Sequence, residues 1–179
     1  LLDSLLSSSV PQEELKVESV FLVLRIAKFQ GLCRIDSAPD FSTEQRSDGK
    51  PSQVIVPAAL LKDCILAAAS DLQIAALSLV IESKTPAAPL TTAEFDILRT
   101  FFPYSLTITN PAARGELRGF FVKLLTRLRA STYALARDMA KITRIDEAER
   151  YPHEKERLAV MRATFDASRD FLDWMVRLI

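Results

Sequence analysis

One histidine, two cysteines and four glycines in 179 residues leave little from which to build a reaction centre. His153 follows Pro152 in a charged stretch, where a solvated imidazole is the ordinary reading and a general base or ligand the alternative. Cys33 and Cys64 lie far apart, without CxxC spacing or a nearby histidine, so they read as buried core thiols rather than a zinc site or a disulfide. Four glycines form neither a Walker loop nor a GxGxxG turn, and HExxH and GxSxG are missing as well. The chain is therefore expected to carry no catalytic residue, no cofactor and no metal.

Charge of one sign is missing too. Lys plus Arg equals Asp plus Glu at 23 each, so the overall balance selects no polyanionic partner, and any such argument rests on local segregation of charge. The apolar runs are interrupted by Arg25, by Lys62 and Asp63, and by Asp71 well short of a membrane span, and no secretory leader is visible. The expected address is intracellular, specifically cytoplasmic, without membrane or DNA among the partners. What is abundant is apolar side chain, 49% of residues, in a chain of about one domain that could bury roughly 70% of its extended surface. The chain opens on Leu1 and closes in "FLDWMVRLI", a helix pattern still running, as expected of an excerpt from something longer.

Helix signals recur along it and strand signals are few. "ELKVESVFLVLRIAKFQGL" (14–32) has the length of a helix and an exit at Gly31, although its Val, Phe and Ile content also suits a strand. Residues 36–56 read as a polar loop punctuated by Pro39, Gly49 and Pro51. Two short helices follow almost without a link, one with Pro57 in its first turn and one with Asp71 as its cap, so they should pack antiparallel. After a Pro-rich link (84–91), Thr91 and Glu94 have capping-box spacing at the head of a helix that Pro103 should end. Beyond a loop at 103–110, Asn110 and Pro111 start a long helix to about 141. A charged stretch at 144–153 then leads to a last helix at about 154–178. Successive helices paired by short links fit one all-α segment, 1–179, of a HEAT- or armadillo-like α-solenoid of antiparallel pairs better than a closed bundle.

The long helix carries the most informative pattern. At about 100° per residue, Leu117, Phe120, Phe121, Leu124, Leu125, Leu128 and Leu135 fall within an arc of about 140°, a core-facing stripe. Lys123, Arg127, Arg137 and Lys141 cluster away from it over roughly 27 Å of helix, with Arg114, Arg118 and Arg129 along the other edge. From Pro111 to Arg144 eight basic residues face only Glu116 and Asp138, an excess of six positive charges in a neutral chain. Two readings stand. The row is either a solvated face paired with acids of the following segment and helix, or a surface that follows a phosphate backbone. Gly115 and Gly119, one turn apart, each cost about 1 kcal/mol relative to Ala; close approach of another backbone or of RNA, or a loosely formed first turn, would account for them. Phe171 and Trp174 read as core anchors rather than a base-stacking platform, and Asp166, Asp170 and Asp173 with Arg162, Arg169 and Arg177 as an exposed ion-pair face.

The run "TAEFDILRTFFPYSLTITNPAARGELRGFFVKLLTRLRAS" (92–131), with "FLDWMVRLI" (171–179), resembles the thyroid-adenoma-associated protein (THADA) family, large helical-repeat partners of a tRNA ribose methyltransferase. The shared elements are the "FFP" turn, Arg114, the "LLxRLRxS" run after Lys123 (Arg127, Arg129, Ser131), and "FLxW" at Phe171 and Trp174. The sequence departs from the family where a basic pair is expected, with Val122 before Lys123. The resemblance implies a non-catalytic subunit that supports 2′-O-methylation at nucleotide 32 of the tRNA anticodon loop. It would bind the methyltransferase, tRNA or both, and the methyl donor would belong to the partner. Arg114, Arg118, Lys123, Arg127, Arg129, Arg137 and Lys141 are then candidates for RNA or partner contact. A protein-binding α-solenoid scaffold without RNA contact in this segment is the alternative.

Overall fold

The computed structural model of the protein describes residues 12–37, 53–67, 70–144 and 151–178. Among these residues the order is α1 (Gln12–Gln30), β1 (Cys33–Asp36), β2 (Val54–Pro57), α2 (Ala58–Leu66), α3 (Ser70–Ile81), α4 (Thr92–Ser105), α5 (Pro111–Thr143) and α6 (Pro152–Leu178). The segment at 14–32 is helical up to Gln30. Gly31 stops it at φ +79°, a left-handed conformation that costs glycine little, while Leu32 N–H reaches back to the Ala27 carbonyl at 2.8 Å.

The expectation of helices alone needs one correction. β1 and β2 pair in parallel, Cys33 opposite Val54 and Ile35 opposite Val56, so both ends of the stretch read as a loop at 36–56 are extended. The β-branched run Val54, Ile55, Val56 favours this conformation, and burial of Cys33, Ile35 and Val56 pins the ribbon to the core. Both cysteines are free and buried, and burial pushes both thiols above their usual range.

Helix boundaries follow the capping chemistry with small shifts. Pro57 is the extended residue that precedes α2 rather than a member of its first turn, and Asp71 lies within the first turn of α3 rather than ahead of it. At α4 the capping box is complete: Glu94 N–H donates to Thr91 Oγ at 3.2 Å and Thr91 N–H to a Glu94 carboxylate oxygen at 2.8 Å. Pro103 does not end α4, which runs to Ser105. Its ring removes one bond close to the helix end, where little is lost, and Leu106 and Thr107 N–H close the final turn onto Pro103 and Tyr104. Asn110 Oδ1 accepts from Ala112 N–H at 2.9 Å, and with Pro111 in the first turn starts the 33-residue α5.

α3 is the central element, packing on α1, α2 and α5, while α4 packs on α2 and α6, and α5 on α6. A chain of rings ties the last three helices: Phe101 meets Phe120 at 6.1 Å edge-on, Phe121 meets Phe102 at 5.2 Å, Phe102 meets Trp174 at 5.7 Å, and Phe95 meets Phe171 at 5.1 Å. Each pair adds roughly 0.5–1.5 kcal/mol beyond its burial. Phe171 and Trp174 are thus engaged in the core, as their spacing suggested, with the Arg99 guanidinium 5.6 Å over the Trp174 ring.

Candidate nucleic-acid interface on the long helix

The apolar stripe of α5 is buried through Leu117, Phe120, Leu124 and Leu128, and later only at Ile142. Phe121 and Leu135 are half-buried and Leu125 is exposed. The stripe is therefore narrower than its hydrophobic residues indicated, and its place on one flank is taken by polar side chains, Ser131 and Arg127.

Arg127 is the main correction to the expected basic row. It is 6% exposed and belongs to a junction between helices, not to the surface. Its Nε donates to Ala88 O at 3.0 Å, Nη1 to Val80 O at 3.3 Å and Glu82 O at 3.4 Å, and Nη2 to Pro89 O at 3.1 Å and Glu94 Oε2 at 3.5 Å. Lys28 approaches the same point from α1, donating to Leu79 O at 2.9 Å, Val80 O at 2.8 Å and Glu94 Oε1. At the end of α3 the Val80 carbonyl accepts from both cations and the Leu79 carbonyl from Lys28 and, at 3.3 Å, from Glu82 N–H, so the two cations complement the negative end of the helix dipole. Burial holds both the Lys28 ammonium and the Arg127 guanidinium below their usual pKa ranges, against the attraction of Glu94. On a helical projection Arg127 lies about 60° from Leu124, on the same flank as Phe120. That position at the margin of the stripe is the signal that should have placed it inside.

The other six candidates lie at the surface. Arg114 Nε donates to Ile108 O at 2.8 Å and holds the turn before α5. Arg118, Lys123 and Arg129 are exposed and, among the described residues, have no ion-pair partner. Arg137 and Lys141 share Asp138 on their own helix at 3.3 and 3.1 Å. Their bonds hold the Asp138 carboxyl below the usual range, but exposed pairs of this kind are weak and leave both cations accessible. Among the described residues no ion pair joins α5 to α6, so the row is not neutralised by the acids of that helix; Asp146, Glu147 and Glu149 lie outside the described residues. A Cβ added at Gly115 or Gly119 would meet nothing within 4 Å, so no close approach among the described residues accounts for either glycine.

Sequence reasoning overlooked Tyr133, which stands 71% exposed among these cations on the outer face of α5. It missed it because a lone tyrosine outside the apolar stripe gives no periodic signal. His153 is exposed, its ring stacked on that of Tyr151 at 5.6 Å. Among the described residues no cluster of His, Cys, Asp or Glu could hold a metal ion, and no helix is long and apolar enough to cross a membrane.

No curated protein and no solved structure matches the chain. A family profile described as "Trm732, TPR repeats" does, over residues 2–179. The repeats it names are of the TPR type, where the sequence pattern had suggested HEAT or armadillo; both are helical hairpin repeats, consistent with the succession of packed helices. Spanning nearly its whole length, this match means that the chain belongs to the Trm732 TPR-repeat family, helical-repeat scaffolds connected with tRNA modification.

Proposed function

We propose that the protein is a non-catalytic helical-repeat subunit for 2′-O-ribose methylation of nucleotide 32 in the tRNA anticodon loop. It works in the cytoplasm, binds the methyltransferase, and contacts tRNA through the outer face of α5. The observation that carries this reading is the set of exposed cations, Arg118, Lys123, Arg129, Arg137 and Lys141, left unneutralised by the neighbouring helix in a chain of this family. Arginine presents two parallel donors to a phosphate and lysine a mobile point charge, so a row on one rigid helix can follow a phosphate backbone. Chemistry then resides in the partner, and this chain supplies orientation.

A second reading draws on another surface. Leu22, Ile26 and Phe29 are exposed along α1, and Leu22 opens into a hollow of about 350 Å³ floored by Phe21 and Ile74 and edged by Glu18, Asp71 and Glu116. This favours a protein-binding scaffold without RNA contact in the segment. The two readings separate in pull-downs of tRNA and of the methyltransferase by the intact protein and by its Lys123→Glu, Arg137→Glu, Lys141→Glu variant. Loss of tRNA with the enzyme retained supports RNA contact by α5; tRNA and enzyme both retained by that variant, with the enzyme lost on Ile26→Glu in α1, supports the scaffold.

A further inference from the structure

The outer face of α5 holds one large aromatic side chain where a row for phosphates alone needs none. Within "RASTYALAR" (129–137), Tyr133 is flanked by Arg129 one turn before and Arg137 one turn after, each about 6 Å along the axis. The positions three residues away on either side are Ala130 and Ala136, so short side chains border the ring where longer ones would cover it. Tyr133 makes no hydrogen bond or ring contact among the described residues, and its exposure is the highest of any large apolar side chain on α5. Exposing a phenol ring this far forgoes the burial that most tyrosines obtain. Lys123 and Lys141 lie farther along the same rod, so the ring sits inside a cationic track and not at its end.

We propose that Tyr133 is a stacking platform for an unpaired RNA base, with Arg129 and Arg137 holding the phosphates on either side of that nucleotide. This rests on the RNA reading above and sharpens it: the ligand of this face is a single-stranded or looped RNA segment. A duplex keeps its bases stacked on one another and offers a helix surface only phosphates, sugars and groove edges, none of which needs an aromatic face. A splayed base offers a π-face of any identity, so the site selects for strand conformation and not for sequence.

The test uses the intact protein with two synthetic RNAs of equal phosphate number, a hairpin with an open loop and a blunt duplex. Tyr133→Ala is expected to weaken hairpin binding roughly tenfold, the effect of losing one stacked base, and to leave duplex binding and the salt dependence of both unchanged. Tyr133→Trp is expected to retain hairpin affinity. Because Tyr133 is exposed, neither variant should alter the helical circular dichroism. Hairpin binding by Tyr133→Ala equal to wild type, with Lys123→Glu and Lys141→Glu still reducing it, overturns the stacking platform and leaves the RNA reading standing. A wild-type protein that binds neither RNA removes both.

Discussion

The Arg127 guanidinium and the Glu94 carboxylate, 33 residues apart in the chain, meet at 3.5 Å in the core with Lys28 on the opposite carboxylate oxygen. Glu94 is itself bonded to the Thr91 N–H of its own capping box, so one carboxylate organises the start of α4 and, through its two cations, the end of α3. Arg127 comes from the middle of α5, and its five bonds to the junction fix the rotation of that helix about its axis. Rotation is what decides which residues of α5 face outward. The buried arginine therefore presents Lys123, Tyr133, Arg137 and Lys141 to solvent, although it takes no part in that surface.

Two cations around one carboxylate make the junction asymmetric. Glu94→Gln keeps the shape and, through its one oxygen, the bond from Thr91 N–H, but turns its amide nitrogen towards Lys28 and leaves Lys28 and Arg127 buried with only the weaker attraction of Glu82 on Arg127, and should cost about 3 kcal/mol or more. Lys28→Met leaves Glu94 paired with Arg127, and the Leu79 and Val80 carbonyls keep Glu82 N–H and Arg127 as donors, so about 1–2 kcal/mol is expected. Urea unfolding of both variants checks the order; equal costs would mean that the three groups do not act as one unit.

The pH dependence of Lys28 has a definite sign. Burial lowers its pKa from the ordinary value of 10.5, so between the lowered value and 10.5 the unfolded chain binds a proton that the folded chain does not. Stability then rises with pH across that window, and below it the cost of burying the ammonium is present in full. The unfolding free energy of wild type minus that of Lys28→Met should accordingly grow as pH approaches 10.5. A difference that shrinks instead would show Glu94 outweighing desolvation.

Local rules carried the sequence reading a long way. Thr91 with Glu94, Asn110 with Pro111 and Gly31 each mark a boundary because capping depends on one or two adjacent residues, and all three stand where the spacing put them. Failures came where a distant partner decides. The β1–β2 ribbon joins segments separated by residues 37–53, and four residues per strand are too few for a pattern to show. A charged Arg127 is expected outward on its spacing alone, yet the carbonyls that make its burial tolerable belong to α3 and to the link before α4. Five exposed cations of the candidate interface were legible, since charge segregation on one helix is a local property. Tyr133 was not, since its meaning depends on knowing that its face is bare.

Gly115 and Gly119 offer a test of whether something outside the chain comes close to the first turns of α5. In the free protein each replacement by Ala has open space for its Cβ and should stabilise by up to about 1 kcal/mol. Thermal unfolding of Gly115→Ala and Gly119→Ala measures this directly. If a backbone or an RNA packs on these glycines in the complex, the same variants will be more stable yet bind less tightly; unchanged binding would assign that face to solvent.

Reversing exposed and buried cations of the same helix should produce different failures. Lys123→Glu, Arg137→Glu and Lys141→Glu together reverse three exposed charges that, among the described residues, make no bond to another helix; loss of the two weak Asp138 pairs and the like charges placed beside it should lower the melting temperature only slightly. If all three meet phosphates, the slope of log affinity for tRNA against log salt falls by roughly 2 to 3. Arg127→Gln acts through the fold: it strips the junction of its guanidinium and leaves the Ala88, Pro89 and Glu82 carbonyls short of donors, costing about 3 kcal/mol or more. Tighter helix packing at high salt cannot rescue a missing donor, so its defect should persist across the salt series. A triple reversal that unfolds the protein, or an Arg127→Gln that melts like wild type, would place the division between surface and core of α5 elsewhere.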